Sequence, residues 1–236
     1  DELEAALAYL VPTWCYTRIA NPTTYYLEWT LALLEGYQTG YETSCLVTAS
    51  GMSAIAAAVD PFLVKQKEGP EKMNLVSSVQ VYGGTYQHFS VRKMKERGIE
   101  VRWVHHPDDI PIAYGADIVV HSLTKSITAG GLGIGGALVS RKPITTRVKN
   151  DDPNFKASFA EYVKFWPYRD NGPAASPVNA MYALNDLRTL RSRMDLVSAN
   201  CQAVAEFLQT HPKVYQVDFL GLKNHKLHPI AERYMK

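Results

Sequence analysis

The sequence predicts an α/β fold, with a mainly parallel sheet held between helices. Short apolar runs at 44–48, 74–81, 100–105 and from Ala116 alternate with helix-patterned segments, the order that builds such sheets. Residues 74–105 read as one β-α-β unit. Apolar residues make up 46% and charged residues 20% of the 236, which is enough for a large core.

Residues 1–10 carry a short helical pattern that Pro12 stops, and 16–23 form a polar loop. Asn21-Pro22 starts a helix, with Pro22 near its first position and Leu27, Leu31 and Leu34 as its apolar stripe; Gly36 and Gly40 close it. Ala49-Ser50-Gly51-Met52 leads from a strand into an alanine-rich helix from Ser53. Thr85 is placed as the N-cap of a helix over 86–97, and Gly98 as its C′ residue. The next connection, from His106 to Ala116, is too short for a parallel crossover and holds Pro107 and Pro111. Either the sheet turns antiparallel there or residues are absent. The glycine-rich 128–136 then leads into a strand at 137–140, and 150–169 is polar and rich in aromatics. Residues 178 to about 210 form one long amphipathic helix or two abutting ones, with Leu184, Leu187, Leu190 and Met194 on one face. A further strand is expected at 214–219.

A net charge of +2, with its densest basic stretch at 141–149 broken by Pro143, argues for a solvated or phosphate-facing loop rather than a nucleic-acid surface. Cys15, Cys45 and Cys201 are too few and too far apart for a disulfide framework or a zinc knuckle. No apolar run reaches the roughly 18 residues of a membrane span, and the acidic start is unlike a signal peptide. A cytoplasmic protein is expected. Neither His105-His106 nor His225 and His228 has a cysteine or carboxylate cluster beside it, so no metal site is expected.

The chemistry concentrates in Ala-Asp-Ile-Val-Val-His-Ser-Leu-Thr-Lys, 116–125, where an apolar strand runs into a Ser-x-Thr-Lys turn. Ser122 and Thr124 offer hydroxyls to an anion, and Lys125 offers an amine that can form a Schiff base; a lysine of a structural turn is the equal alternative. Gly131 to Gly136 matches Gly-x-Gly-x-x-Gly, but a strand rather than a helix follows, which excludes dinucleotide binding. Ser50-Gly51-Met52 sits where a helix N-terminus can cup a phosphate. Tyr82, before two glycines, can stack on a planar ring or fill a β-α turn. Tyr16 and Arg18 form a phosphate-type pair on an extended loop.

The segments Tyr-Thr-Arg-Ile-Ala-Asn-Pro-Thr (16–23), Ala-Ser-Gly-Met-Ser-Ala-Ile (49–55), Val-Tyr-Gly-Gly-Thr-Tyr (81–86) and Gly-Ala-Asp-Ile-Val-Val-His-Ser-Leu-Thr-Lys (115–125) closely resemble the Cys/Met-metabolism family of pyridoxal-phosphate enzymes. Ser-Pro-Val-Asn-Ala (176–180) and residues 205–214 are similar to it too. The resemblance implies a fold-type I transferase with pyridoxal 5′-phosphate as cofactor and an amino-acid substrate. Lys125 would hold the cofactor, Gly51 and Met52 (backbone N–H) with Ser122 and Thr124 (hydroxyls) would bind its phosphate, and Tyr82 would stack on its ring and assist proton transfer. Tyr16 and Arg18 would reach the phosphate in a neighbouring subunit, so a homodimer or homotetramer is implied.

By the same resemblance, residues 1–22 are an arm, 23–195 the cofactor domain, and 196–236 a linking helix with the start of a small α/β C-terminal domain that continues past Lys236. The implied reaction is γ-replacement on an O-acylhomoserine with sulfide or a thiol, because Gly84 stands where methionine γ-lyases carry cysteine. A Cγ or Cβ lyase and a non-catalytic homologue are the alternatives. The family's Val-x-Asp-Asn-Thr strand, whose aspartate pairs with the pyridine nitrogen, has no match, and neither Asp117 nor Asp218 fits that role. Both this gap and the short connection point to a long internal segment absent near Ile110–Pro111, expected as an unobserved part of a longer chain rather than a natural deletion.

Overall fold

The computed structural model describes residues 4–5, 14, 16–64, 73–90, 93–104 and 115–234. The helix expected over 1–10 lies outside these residues except at 4–5, which are helical. His105-His106 and the Ile110–Pro111 join also lie outside them, and the sequence runs without a break through that stretch. The chain divides into two compact units, 1–186 and 187–236.

In the first unit, α1 (Pro22–Gly36) starts as expected, with Asn21 Oδ1 accepting from the Thr23 N–H at 3.0 Å and Pro22 inside the first turn. Leu27 and Leu31 bury its inner face. Strand β1 (Glu42–Thr48) pairs antiparallel with β5 (Gly136–Lys142), and β4 (Ile118–Ser122) pairs antiparallel with the other edge of β5. Thus β1 and β4 run in the same direction, with β5 reversed between them. Strand β2 (Asn74–Ser78) and β3 (Glu100–Val104) form a separate parallel pair, as the β-α-β reading requires.

Between β1 and β2 lies α2 (Gly51–Val59), which starts two residues before the expected Ser53 because Ser50 caps it. Helix α3 (Gly83–Ser90) also begins earlier than expected. Thr85 is a buried residue inside it rather than its N-cap, and its hydroxyl faces Met52 Sδ at 3.8 Å. The helical stretch expected over 86–97 is divided, with α4 (Lys93–Glu96) after α3 and Gly98 following at φ +69°.

The aromatic stretch expected to be a polar segment is instead core. Helices α5 (Asn154–Ala157) and α6 (Phe159–Val163) bury Phe155 and Phe159 completely against Phe62, with ring centroids 5.3 and 5.0 Å apart. The spacing 155, 159, 162, 163 is a helical stripe, set among polar neighbours that give the segment its polar composition. A kinked turn over Lys164–Tyr168 and the short α7 (Arg169–Asn171) follow.

The helical stretch is divided into α8 (Pro177–Leu187) and α9 (Leu190–Thr210), the latter in the second unit. Residues 214–219 form no ladder, which corrects the expected strand. Alternation alone does not make a strand, because its N–H and C=O groups need a partner, and the second unit's described elements are α9 and α10 (His228–Tyr234). There His225 Nε2 lies 2.6 Å from Asp218 Oδ1, and His228 Nδ1 lies 2.8 Å from the Leu220 carbonyl. These are satisfied histidines, and no metal-type cluster occurs among the described residues.

Candidate active site

The site is built where the ends of β1, β4 and β5 meet the start of α2. Ser122 closes β4, opposite Gly136 at the start of β5, and Gly136 also faces Thr48 at the end of β1. Over them sits Ser50-Gly51. A Cβ on Gly136 would fall on the Ser50 carbonyl, and one on Gly51 would lie 3.0 Å from the Ser122 Cβ. A Cβ at Gly136 would thus collide with backbone, and one at Gly51 would force a shift of a few tenths of an ångström.

Ser50 caps α2, its Oγ accepting from the Ser53 N–H at 3.1 Å while the Ser50 N–H donates to Ser53 Oγ at 3.0 Å. The N–H groups of Gly51 and Met52 have no partner among the described residues, and neither has the Ser122 hydroxyl. Three hydrogen-bond donors thus converge at a helix N-terminus, where the helix dipole favours negative charge. That donor set fits a phosphate.

Lys125 lies in a π-helical turn, Leu123–Ile127, with a non-helical φ of −95° and ψ of −125°. Leu123 and Ile127 are buried beneath it, while Lys125 is exposed. Thr128 closes the turn, its N–H and hydroxyl both donating to the Leu123 carbonyl at 3.1 and 2.7 Å. The Thr124 hydroxyl is engaged with Gly135, donating to its carbonyl at 3.2 Å and accepting from its N–H at 3.1 Å. Ser122 and Thr124 therefore differ, since Ser122 is open to an anion and Thr124 fixes the turn.

Tyr82 is 69% exposed and stands over Gly84, where a Cβ would meet its ring at 2.6 Å and Met52 Sδ at 3.3 Å. Through Met52 the tyrosine is continuous with the α2 N-terminus. Tyr16 and Arg18 are held against each other and against the Arg169 backbone. Arg18 lies 5.0 Å over the Tyr16 ring, and its Nη1 donates to the Arg169 carbonyl.

Asp117 is committed elsewhere, its Oδ1 accepting from Arg141 Nε at 2.7 Å and from the Thr145 N–H at 2.6 Å. It supplies no carboxylate to the site. Supporting residues invisible in the sequence motifs also emerge. The Asn179 side chain donates to the Ile134 carbonyl at 2.8 Å, and Asp186 accepts from the Ala129 N–H at 2.8 Å, which braces the glycine-rich stretch behind Lys125. Only the glycine pair 135–136 hinted at close packing there.

The family described as Cys/Met metabolism PLP-dependent enzyme matches the chain in two parts, residues 4–110 and 109–236. An O-acetyl-L-homoserine sulfhydrylase of Leptospira meyeri is 31% identical over 300 residues, covering 93% of this chain and 65% of the relative. An L-methionine gamma-lyase of Fusobacterium nucleatum subsp. polymorphum is 27% identical over 278 residues, covering 94% and 64%. The chain thus spans less than two thirds of either relative. Among solved structures, a Campylobacter jejuni protein described as an O-acetylhomoserine (thiol)-lyase, carrying N′-pyridoxyl-lysine-5′-monophosphate, is 24% identical. It aligns with a TM-score of 0.80 over 99% of this chain and 74% of its own. The fold is therefore fold-type I.

Proposed function

Because this chain belongs to the Cys/Met metabolism family of PLP-dependent enzymes, we propose that it binds pyridoxal 5′-phosphate at the α2 N-terminus and Lys125. We propose further that it serves γ-replacement on an O-acylhomoserine by sulfide or a thiol. The observation that carries the reading is the approach of Gly51 to Ser122, which sets the free N–H groups of α2 beside an open hydroxyl three residues before Lys125.

When bound, the cofactor supplies an electron sink for carbanions at the substrate's α and β carbons. The chain's own residues do the rest. The Gly51 and Met52 N–H groups and the Ser122 hydroxyl hold the phosphate, while Thr124 holds the turn that presents Lys125. Lys125 would hold the cofactor through its Nζ, and that amine is the group that would move protons as a general base and acid. Tyr82, exposed beside Gly84, would stack on the cofactor ring and assist proton transfer through its Oη. Gly84 favours the transfer reading only through the resemblance, methionine γ-lyases carrying cysteine at that position.

Tyr16 and Arg18 are assigned to a neighbouring subunit's phosphate in a homodimer or homotetramer. The exposed Tyr25, Tyr26, Trp29, Leu33 and Leu34 of α1 support such an interface. A cytoplasmic location is proposed from the sparse cysteines, of which Cys45 and Cys201 are free among the described residues. No helix among the described residues is long and apolar enough to cross a membrane.

The test is titration of the purified protein with pyridoxal 5′-phosphate. A visible absorbance band that borohydride removes, and that Lys125→Ala lacks, supports the cofactor site; its absence favours a non-catalytic homologue. Homocysteine from O-acetylhomoserine and sulfide supports γ-replacement. Keto-acid release from methionine without a thiol overturns it in favour of a lyase.

A further inference from the structure

Beside the phosphate cup lies a row of the sheet that the proposed chemistry does not use. The register sets Val47 of β1 opposite Ala137 of β5, and Ala137 opposite His121 of β4. The next row, Thr48, Gly136 and Ser122, is the one over which Ser50-Gly51 sits. Both ends of the first row are held by carboxylates of one helix. Glu28 of α1 accepts from the Val47 N–H at 3.1 Å, and Glu35 Oε1 lies 3.2 Å from His121 Nε2. A carboxylate only accepts, so the His121 ring is the donor.

Glu28 and Glu35 are two helical turns apart, so they share one face and lie about 10 Å from each other along the axis. Strands β1 and β4, with β5 between them, are separated by about 10 Å as well. One helix face therefore reaches from one side of this sheet to the other. Glu28 is buried and further fixed by Lys164 Nζ at 3.0 Å, while His121 and Glu35 are half-buried. Glu35 stands in the last turn of α1, where the helix dipole disfavours a negative charge and a donor such as His121 offsets it. The Cys45 thiol of β1 feels both carboxylates, pushed up by burial first and then by Glu28 and Glu35 against Lys164.

This row governs the spacing of the cup's two halves. Strand β1 leads from Val47 to the Ser50 cap and the free N–H groups of Gly51 and Met52. Strand β4 leads from His121 to Ser122 and the Lys125 turn. The halves meet at Gly51 and Ser122, already at the limit of approach. Donors that converge on one anion have to be held to within about 0.5 Å, so each strand end needs its own anchor.

We propose that Glu35 and His121 are positioning residues of the phosphate site, and that α1, gripping β1 through Glu28 and β4 through Glu35, sets the distance between the cup's halves. The inference rests on the cofactor site proposed above. His121 and Ser122 are successive residues of a strand, so their side chains leave opposite faces and His121 acts through Ser122 without touching the anion.

Two measurements on the purified chain test it, hydrogen exchange over 118–124 without cofactor and absorbance titration with pyridoxal 5′-phosphate. His121→Ala is expected to speed exchange there and to weaken cofactor binding, each by about fivefold or more. Glu35→Ala should do the same, and the double variant no more than either alone; it carries the comparison if His121→Ala does not fold. His121→Gln, whose amide still donates to Glu35, should restore both. Thr43→Val is the control, since the Thr43 hydroxyl bonds the Ala32 carbonyl at 2.6 Å and ties α1 to the far end of β1. It should lower the melting temperature yet leave exchange over 118–124 and cofactor affinity within about twofold of native. Unchanged exchange or unchanged affinity in the alanine variants, no rescue by His121→Gln, or an equal effect of Thr43→Val overturns the inference. A native chain that forms no cofactor band overturns the proposed cofactor site instead, and exchange over 118–124 in the same variants then decides the positioning claim by itself.

Discussion

Gly51 and Ser122 approach so closely that a Cβ on the glycine would lie 3.0 Å from the serine Cβ and 3.3 Å from its Oγ. The lack of a side chain at residue 51 lets helix α2 bring its free N–H groups this close to the β4 end. Gly51→Ala forces the helix start or Ser122 to give by a few tenths of an ångström. It is expected to weaken pyridoxal 5′-phosphate binding by about tenfold, roughly 1.4 kcal/mol, while unfolding stability falls by about 1 kcal/mol. Cofactor titration and urea melts on the same variant check both.

Gly136 is the sterner case. A Cβ there meets backbone, the Ser50 carbonyl, rather than a movable side chain. Gly136→Ala is expected to destabilise by about 3 kcal/mol. Gly83→Ala, with open space around the added Cβ, should change stability by less than about 1 kcal/mol in either direction. Denaturant midpoints for the pair give the comparison.

Two hydroxyls of one motif should part company. Ser122→Ala removes a group without a partner and is expected to leave stability within about 0.5 kcal/mol, yet weaken cofactor binding. Thr124→Val breaks both bonds to Gly135, and should cost about 1–3 kcal/mol. Equal stability losses in thermal melts would contradict these assignments.

Glu28 is buried, accepting the Val47 N–H at 3.1 Å and Lys164 Nζ at 3.0 Å. Lys164→Met leaves that carboxylate without its cation and is expected to cost about 3–5 kcal/mol. Adding Glu28→Gln should recover part of the loss, which a double-mutant cycle by urea denaturation measures.

Burial, helped by the Glu28 charge, pushes the Cys45 thiol well above its ordinary range. The unfolded chain therefore loses this proton first, at about pH 8.5, and the folded state holds it to higher pH. The stabilisation is complete below the unfolded value and is lost as pH rises toward the folded one. Stability should fall more steeply above about pH 8.5 in the native protein than in Cys45→Ala, as read from melts across an alkaline series.

Local signals carried much of the architecture. Asn21-Pro22, the Ser50 turn, the β2–β3 unit and the Ser-x-Thr-Lys turn were legible because caps, turns and strand-to-helix switches act over a few residues. The aromatic stretch from Phe155 was misread because its helical stripe is short and set among polar residues. The strand expected at 214–219 failed for the opposite reason, since its alternation is local whereas a ladder needs a partner from elsewhere.

The sequence by itself determined the family resemblance, the lysine at the end of an apolar strand and the glycines around it, because chemistry-bearing residue types at fixed spacing are written along the chain. Only the tertiary structure decided that Ser122 is open while Thr124 is spent on Gly135, that Gly136 lies under Ser50, and that residues of β2 and β4 line one cavity. Those relations join residues far apart in sequence. Their outcome is set by which groups compete for the same hydrogen bonds and the same space once the sheets are packed.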